Sequence, residues 1–328
     1  MFDIWLPLVG GFVLLVVGGD LLVRGAVQVA SRFGVSPLVI GLTLVGFGTS
    51  TPELVTSVQA ALIGAPGIAY GNIVGSNIAN ILLILGVSAI LYPMAIASTA
   101  LRRDGAVMVA VAVLFTTVAA TMPMERWLGV VFILALVVYV YIAFRQESLA
   151  NTKPDHGAIY DKSVALQSVD PGTVPPMKPS GSIMTPLLIT VGGLTLVVLG
   201  GTFLVDGAVA LAGSYGISET VTGLTIVAVG TSLPELITSV FAAIRKQADV
   251  AFGNIVGSNI YNILFIGGAT AVIAPGEVPA EIASFDNLVM VGVSVLIVVF
   301  AWTGLRIARW EGAALFAGYL GYLYVLWP

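Results

Sequence analysis

Cysteine is absent from the 328 residues, and histidine occurs once, at His156. The chain therefore cannot build disulfides, thiolate metal centres, cysteine nucleophiles or histidine zinc clusters. Charge is also scarce. The 13 basic and 17 acidic side chains make up 9% of the residues, whereas a soluble domain carries about 25%. So few charges cannot keep the surface of a 33.9 kDa globule wet, and a bilayer must be the solvent for most of the chain. The net charge of −4 argues against a nucleic-acid partner. No G-x-x-x-x-G-K-[ST] stretch is present, and no soluble stretch is long enough for a nucleotide-binding domain. The apolar core holds no nucleophile–base set, so neither an enzyme nor a resident cofactor is expected. Hydrophobic residues reach 58%, and the 38 glycines suit close packing or breaking of membrane helices.

A spanning helix needs about 20 mostly apolar residues. Ten such runs are predicted, at 5–24, 37–63, 67–91, 104–121, 127–144, 183–205, 218–244, 249–273, 286–303 and 310–327. The first lacks a basic leader and is expected to stay as an uncleaved helix. Residues 145–182 break the pattern with five prolines and four basic residues. They read as a flexible linker without chemistry, with His156 as a solvated loop residue. An even number of spans puts both termini on one side. Twelve of the 13 basic residues, all but Arg126, then fall on the opposite side, together with the 145–182 loop. The positive-inside rule makes that side cytoplasmic and leaves both termini outside.

The chain also repeats itself. Residue i matches residue i+182, with 40 identities in 69 ungapped positions from 18 to 86. The expected architecture is therefore an all-α membrane protein of two five-helix halves, 1–144 and 183–328, joined by 145–182. An odd number of helices per half inserts the second copy upside down. Inverted repeats are typical of secondary transporters, whose sites lie at the midplane where the repeats meet.

Two motif pairs carry the chemistry. GFGTSTPE at 46–53 and AVGTSLPE at 228–235 fall at the centres of spans two and seven. Proline clashes with the carbonyl four residues back, here Gly48 and Gly230, so each helix should break there. Freed carbonyls at that depth need partners from protein or ions. Glu53 and Glu235 follow each break. A mid-membrane carboxylate needs a counter-charge, and no lysine or arginine is expected at that depth. Ser50-x-x-Glu53 and Ser232-x-x-Glu235 also fit a capping box, in which the glutamate accepts from a backbone N–H. In spans three and eight, Asn72, Ser76 and Asn80, repeated as Asn254, Ser258 and Asn262, form one polar stripe per helix. Asn72 and Asn254 serve packing as readily as binding. Asn80 and Asn262 share the depth of the glutamates and are expected to coordinate an ion. All these donors are oxygens, which suit hard cations. Two carboxylates balance one Ca²⁺, and the neighbouring hydroxyl and amide oxygens offer sub-sites for two or three Na⁺. A site that holds either load, but not both, is the physical basis of exchange. A cation channel could use the same acids, but one chain with a pseudo-two-fold does not make a pore ring.

GTSTPELVTS with GNIVGSNIANILLILG, and GTSLPELITS with GNIVGSNIYNILFIGG, resemble the paired alpha-repeats of the calcium/cation antiporter superfamily. The likeness is greatest to prokaryotic sodium/calcium exchangers, and it covers both halves. It implies ten helices in a prokaryotic plasma membrane and Na⁺ exchanged for Ca²⁺. It also implies shared ligands Glu53 and Glu235, aided by Thr49, Ser50, Ser76, Asn80, Thr231, Ser232, Ser258 and Asn262, with the Gly46 and Ala228 carbonyls. Proton-coupled relatives place a glutamate in the GN motif. Here that motif is neutral in both copies, which favours Na⁺. Some relatives carry Asp where this chain has Asn262, which bears on the charge at that sub-site.

Overall fold

A computed structural model describes residues 2–33, 46–95, 99–149, 158–174, 182–246, 248–303 and 306–327. The described chain is helical apart from a short antiparallel pairing of Met94–Ala95 with Arg306–Ile307 and one isolated bridge. Its helices are α1 (Phe2–Arg32), α2 (Thr51–Leu62), α3 (Pro66–Leu91), α4 (Arg103–Thr121), α5 (Arg126–Leu149) and α6 (Ala158–Val169). They continue as α7 (Met184–Tyr215), α8 (Glu219–Thr231), α9 (Leu233–Ile244), α10 (Val250–Ile273), α11 (Ile282–Phe300) and α12 (Arg309–Leu326).

Among the described residues, seven helices are long and apolar enough to cross a membrane, and the bent pair α8–α9 makes an eighth crossing. The ten expected spans are thus met in part. The start of the expected span 37–63, residues 37–45, lies outside the described residues. The last expected span is helical as α12, but Arg309, Glu311 and three tyrosines make it less apolar. His156 and the prolines at 154, 175, 176 and 179 also lie outside the described residues.

The burial pattern separates two roles. In α3 and α10, which carry the GN motifs, 83% of the residues in the most apolar stretch are buried, against 33% in α1, α4, α5 and α7. The GN helices therefore form the centre and the others face outward. Exposed Leu6, Val9, Leu134, Val137 and Leu188 suit contact with lipid.

α1 packs along α7 through a seam of glycines spaced seven residues apart. Cβ atoms placed at Gly11, Gly18 and Gly25 would meet Leu204, Val197 and Thr190 within 3 Å, and those at Gly193, Gly200 and Gly207 would meet Leu22, Leu15 and Leu8. Partner numbers fall as α1 numbers rise, so the two helices are antiparallel. The six glycines are also related pairwise by the 182-residue repeat. Small residues let membrane helices approach at backbone distance. A Cβ at Gly193 would sit 2.4 Å from the Leu22 nitrogen, whereas Gly192 faces open space. Gly193→Ala should therefore cost about 1–3 kcal/mol through overpacking and lower the melting temperature in detergent. Gly192→Ala should leave it unchanged.

Candidate cation-binding site

The expected helix breaks are present in both repeats. The chain leaves the helical turn Gly46–Gly48, passes Ser50 at φ −88°, ψ 6°, and restarts at Thr51 with Pro52 in the first turn of α2. The second repeat matches it, with Ser232 at φ −84°, ψ 8°, Pro234 in the first turn of α9, and a 49° bend between α8 and α9. Proline at the start of a helix gives up an N–H that has no partner there anyway, so it marks the restart.

Ser50 and Ser232 do not act as caps. Neither side chain caps its own helix. Ser50 instead donates to Glu235 Oε1 at 3.2 Å, and Ser232 donates to Glu53 Oε1 at 3.0 Å. Each repeat supplies the hydroxyl for the other repeat's carboxylate. Both glutamates are 1% exposed, and each has its Oε2 without a hydrogen-bond partner. Among the described residues no group of three or more His, Cys, Asp or Glu could hold a metal. A cation here would draw on two carboxylates and on neutral oxygens.

The GN helices brace this centre. Asn72 donates to the Glu53 carbonyl at 3.2 Å and to Ser57 Oγ at 2.9 Å, and its Oδ1 accepts from Thr231 at 2.9 Å. Asn254 donates to the Glu235 carbonyl at 3.4 Å, to Thr238 at 2.9 Å and to Ser239 at 2.8 Å. These two asparagines lock each GN helix to the break it faces, which is the packing role. Ser76 Oγ lies 3.5 Å from both Asn72 Oδ1 and the Ala228 carbonyl. That carbonyl also accepts from the Ser232 N–H at 3.1 Å. Asn80 donates to Asn259 Oδ1 at 2.9 Å, and Asn259 donates to the Asn77 carbonyl at 3.3 Å, so the repeats also meet here. Asn77 and Asn259 sit inside the quoted motifs, yet nothing in their spacing singled them out.

Asn80 and Asn262 each open a wide π-helical turn, Asn80–Leu85 and Asn262–Gly267. Such turns concentrate at functional positions. Asn80 Oδ1, Asn254 Oδ1 and both side-chain polar atoms of Asn262 are buried without partners. Buried unpaired oxygens are costly, and a hard cation would satisfy them. A cavity of about 310 Å³ lies beside the two breaks, lined by Gly48, Thr49, Pro52 and Pro234 and by Leu166 and Val169 of the connecting segment.

The connecting segment corrects two expectations. Residues 158–169 are a packed helix, α6, and not a flexible chain. A lysine does reach one of the acids. Lys162, fully buried, donates to Thr49 Oγ1 and to Ser258 Oγ, each at 2.6 Å, and pairs with Glu235 Oε1 at 3.6 Å. Sorted by sequence, Lys162 counts as a loop residue; in space it belongs to the site. Arg24 pairs with Asp20 one turn away on α1 at 2.9 Å and also binds Asp170 of the connecting segment at 2.9 Å.

Membrane-length helices, with one bundle broken around two buried acids and braced by amide-bearing helices, define a multi-pass protein of the cation-transporter class. Residues 4–145 and 185–327 match the family model for sodium/calcium exchanger proteins, and the chain belongs to that family. It is 36% identical over 323 residues to the putative antiporter CaxA of Alkalimonas amylolytica, covering 96% of both chains. It is 36% identical over 345 residues to the sodium/calcium exchanger MaX1 of Methanosarcina acetivorans, covering 98% of both. Among solved structures it resembles the sodium-calcium exchanger NCX_Mj soaked with 2.5 mM Na⁺ and 0.1 mM Ca²⁺. The TM-score is 0.62 at 31% identity, over 98% of both chains.

Proposed function

We propose that this chain is a Na⁺-coupled Ca²⁺ antiporter working by alternating access. Ten spans in two inverted halves, 1–144 and 183–328, present Glu53 and Glu235 to one shared site. Thr49, Ser50, Ser76, Asn80, Thr231, Ser232, Ser258 and Asn262 supply further oxygens, with the Gly46 and Ala228 carbonyls as candidates. The observation that carries this reading is the reciprocal crossing of Ser50 to Glu235 and Ser232 to Glu53. A site built equally by two antiparallel repeats can open to either side by exchanging their conformations. The antiparallel glycine seam of α1 and α7 supports the inverted arrangement. Family membership and the likeness to the sodium/calcium exchanger MaX1 support the cargo.

Na⁺ is the proposed coupling ion because GNIVGSNIAN and GNIVGSNIYN hold only neutral side chains. An amide carries no proton at working pH. Asn262 also keeps a carbonyl oxygen without adding charge, which does not favour a further K⁺ site. Proteoliposomes loaded with Na⁺, without K⁺ and with equal pH inside and out, should take up ⁴⁵Ca²⁺. Uptake only with K⁺, or only with a pH gradient, would replace Na⁺ as sole coupling ion.

The termini are proposed to lie outside and the connecting segment in the cytoplasm, from the sorting of basic residues. Val174 is 49% exposed on that segment. In this cysteine-free chain, Val174→Cys should resist a membrane-impermeant maleimide added to intact cells and react after permeabilisation. Ready labelling of intact cells would invert the topology.

A further inference from the structure

The two halves of the site are not equally knitted, and the difference falls at Lys162. In one half, Thr231 donates to Asn72 Oδ1, and Ser76 lies against Asn72 and the Ala228 carbonyl. The 182-residue repeat pairs Thr231 with Thr49, Ser76 with Ser258, and Asn72 with Asn254. The matching contacts are replaced: Asn254 Oδ1 has no partner, and Thr49 and Ser258 both receive the Lys162 ammonium.

The same asymmetry holds for the helices. Gly71 and Gly75 are covered by Gly223, Leu224 and Ala228 of α8. Their repeat mates, Gly253 and Gly257, are covered by Asp161, Ala158 and Lys162 of α6. α6 therefore covers the face of α10 whose counterpart on α3 holds the first half of a broken span.

We propose that α6 is a tethered plug, in which Lys162 occupies one monovalent-cation sub-site of the exchange site and competes with Ca²⁺. The inference rests on reading Glu53 and Glu235 as the cation site. Two hydroxyls and a carboxylate are the oxygen set that a transported ion would use, and the ammonium takes them from within the chain. Shared oxygens make the two occupants exclusive. The glutamates carry −2, and Ca²⁺ balances them alone. The ammonium already holds Thr49 Oγ1 and Ser258 Oγ and faces Glu235 Oε1, so Ca²⁺ can use those oxygens only when Lys162 leaves them.

The plug is held at both ends. The α6 N-terminus gives its Ala158 N–H to Asp104 Oδ2 at 2.7 Å. In the last turn of α6 the Ser168 carbonyl accepts from Arg245, and just beyond it Asp170 binds Arg24 on α1. Through Arg24 the segment is tied to one of the two helices of the glycine seam, so a slide of α1 would pull on α6.

The test uses the purified full-length chain. In equilibrium ⁴⁵Ca²⁺ binding, and in uptake at low Ca²⁺, Lys162→Met should lower the half-saturating Ca²⁺ concentration by about tenfold or more. A separate probe does not depend on that variant folding. Ala165 is buried on α6, and a maleimide should label Ala165→Cys slowly without Ca²⁺ and at least tenfold faster with saturating Ca²⁺. Equal Ca²⁺ affinity in wild type and Lys162→Met, or labelling of Ala165→Cys indifferent to Ca²⁺, overturns the plug and leaves the exchanger reading standing. Absence of Ca²⁺ binding in both proteins overturns the two together.

Discussion

Replacing either Glu53 or Glu235 with glutamine should abolish Ca²⁺ transport while the protein still folds. Glutamine keeps the length of the side chain and an oxygen to accept from Ser232 or Ser50, so the crossing of the repeats survives. The change removes one of the two charges available to a divalent ion. Breaking a buried ion pair by neutralising one partner costs about 3–5 kcal/mol, or roughly 10²–10⁴ in affinity. The two variants should differ in one respect. Glu235 also pairs with Lys162, so Glu235→Gln should loosen α6, and Glu53→Gln should not. ⁴⁵Ca²⁺ uptake and melting temperature, measured on both variants, check this. Normal flux in either variant would remove that glutamate from the site.

Exchange should also respond strongly to membrane potential. Glu53 and Glu235 bring −2 to the site. Ca²⁺ neutralises it, whereas three Na⁺ leave +1, so a 3:1 cycle carries one net charge. One charge across 100 mV is worth about 2.3 kcal/mol, or roughly fifty-fold in the Ca²⁺ gradient at equilibrium. Proteoliposomes clamped with a K⁺ diffusion potential should show that shift, with its direction reversing when the potential is reversed. A gradient unaffected by potential would mean balanced exchange of two Na⁺ for one Ca²⁺. Acid should oppose Ca²⁺ in either case, since protons compete for the same carboxylates.

The parts of the site that could be read from the sequence are those with a local physical cause. Pro52 and Pro234 break their helices because proline has no N–H and clashes with the preceding turn. Glu53 and Glu235 stand out because charge is rare in an apolar run. Asn72 and Asn254 follow a four-residue stripe. What could not be read depended on partners distant in sequence. Ser50 fits a capping box with Glu53 by spacing, yet its hydroxyl crosses to Glu235, 185 residues away. Asn77 and Asn259 meet only because α3 and α10 pack together. Lys162 was obscured by its setting: residues 145–182 are rich in proline and too short of apolar residues to suggest a span. One signal was available. AIYDKSVALQSV carries only Asp161 and Lys162 as charges in 12 residues, a composition suited to a buried helix better than to a solvated loop. The π-helical turns at Asn80 and Asn262 follow from packing and have no counterpart in residue spacing.

The central claim is that Ca²⁺ and Na⁺ share one site made by both repeats. Equilibrium ⁴⁵Ca²⁺ binding to the purified chain, titrated with Na⁺ at constant ionic strength and pH, tests it most directly. The account predicts that Na⁺ displaces Ca²⁺ completely and with a Hill coefficient above 1, and that Glu53→Gln and Glu235→Gln each remove the displaceable binding. Ca²⁺ binding that persists at saturating Na⁺, or that survives loss of either glutamate, would contradict it.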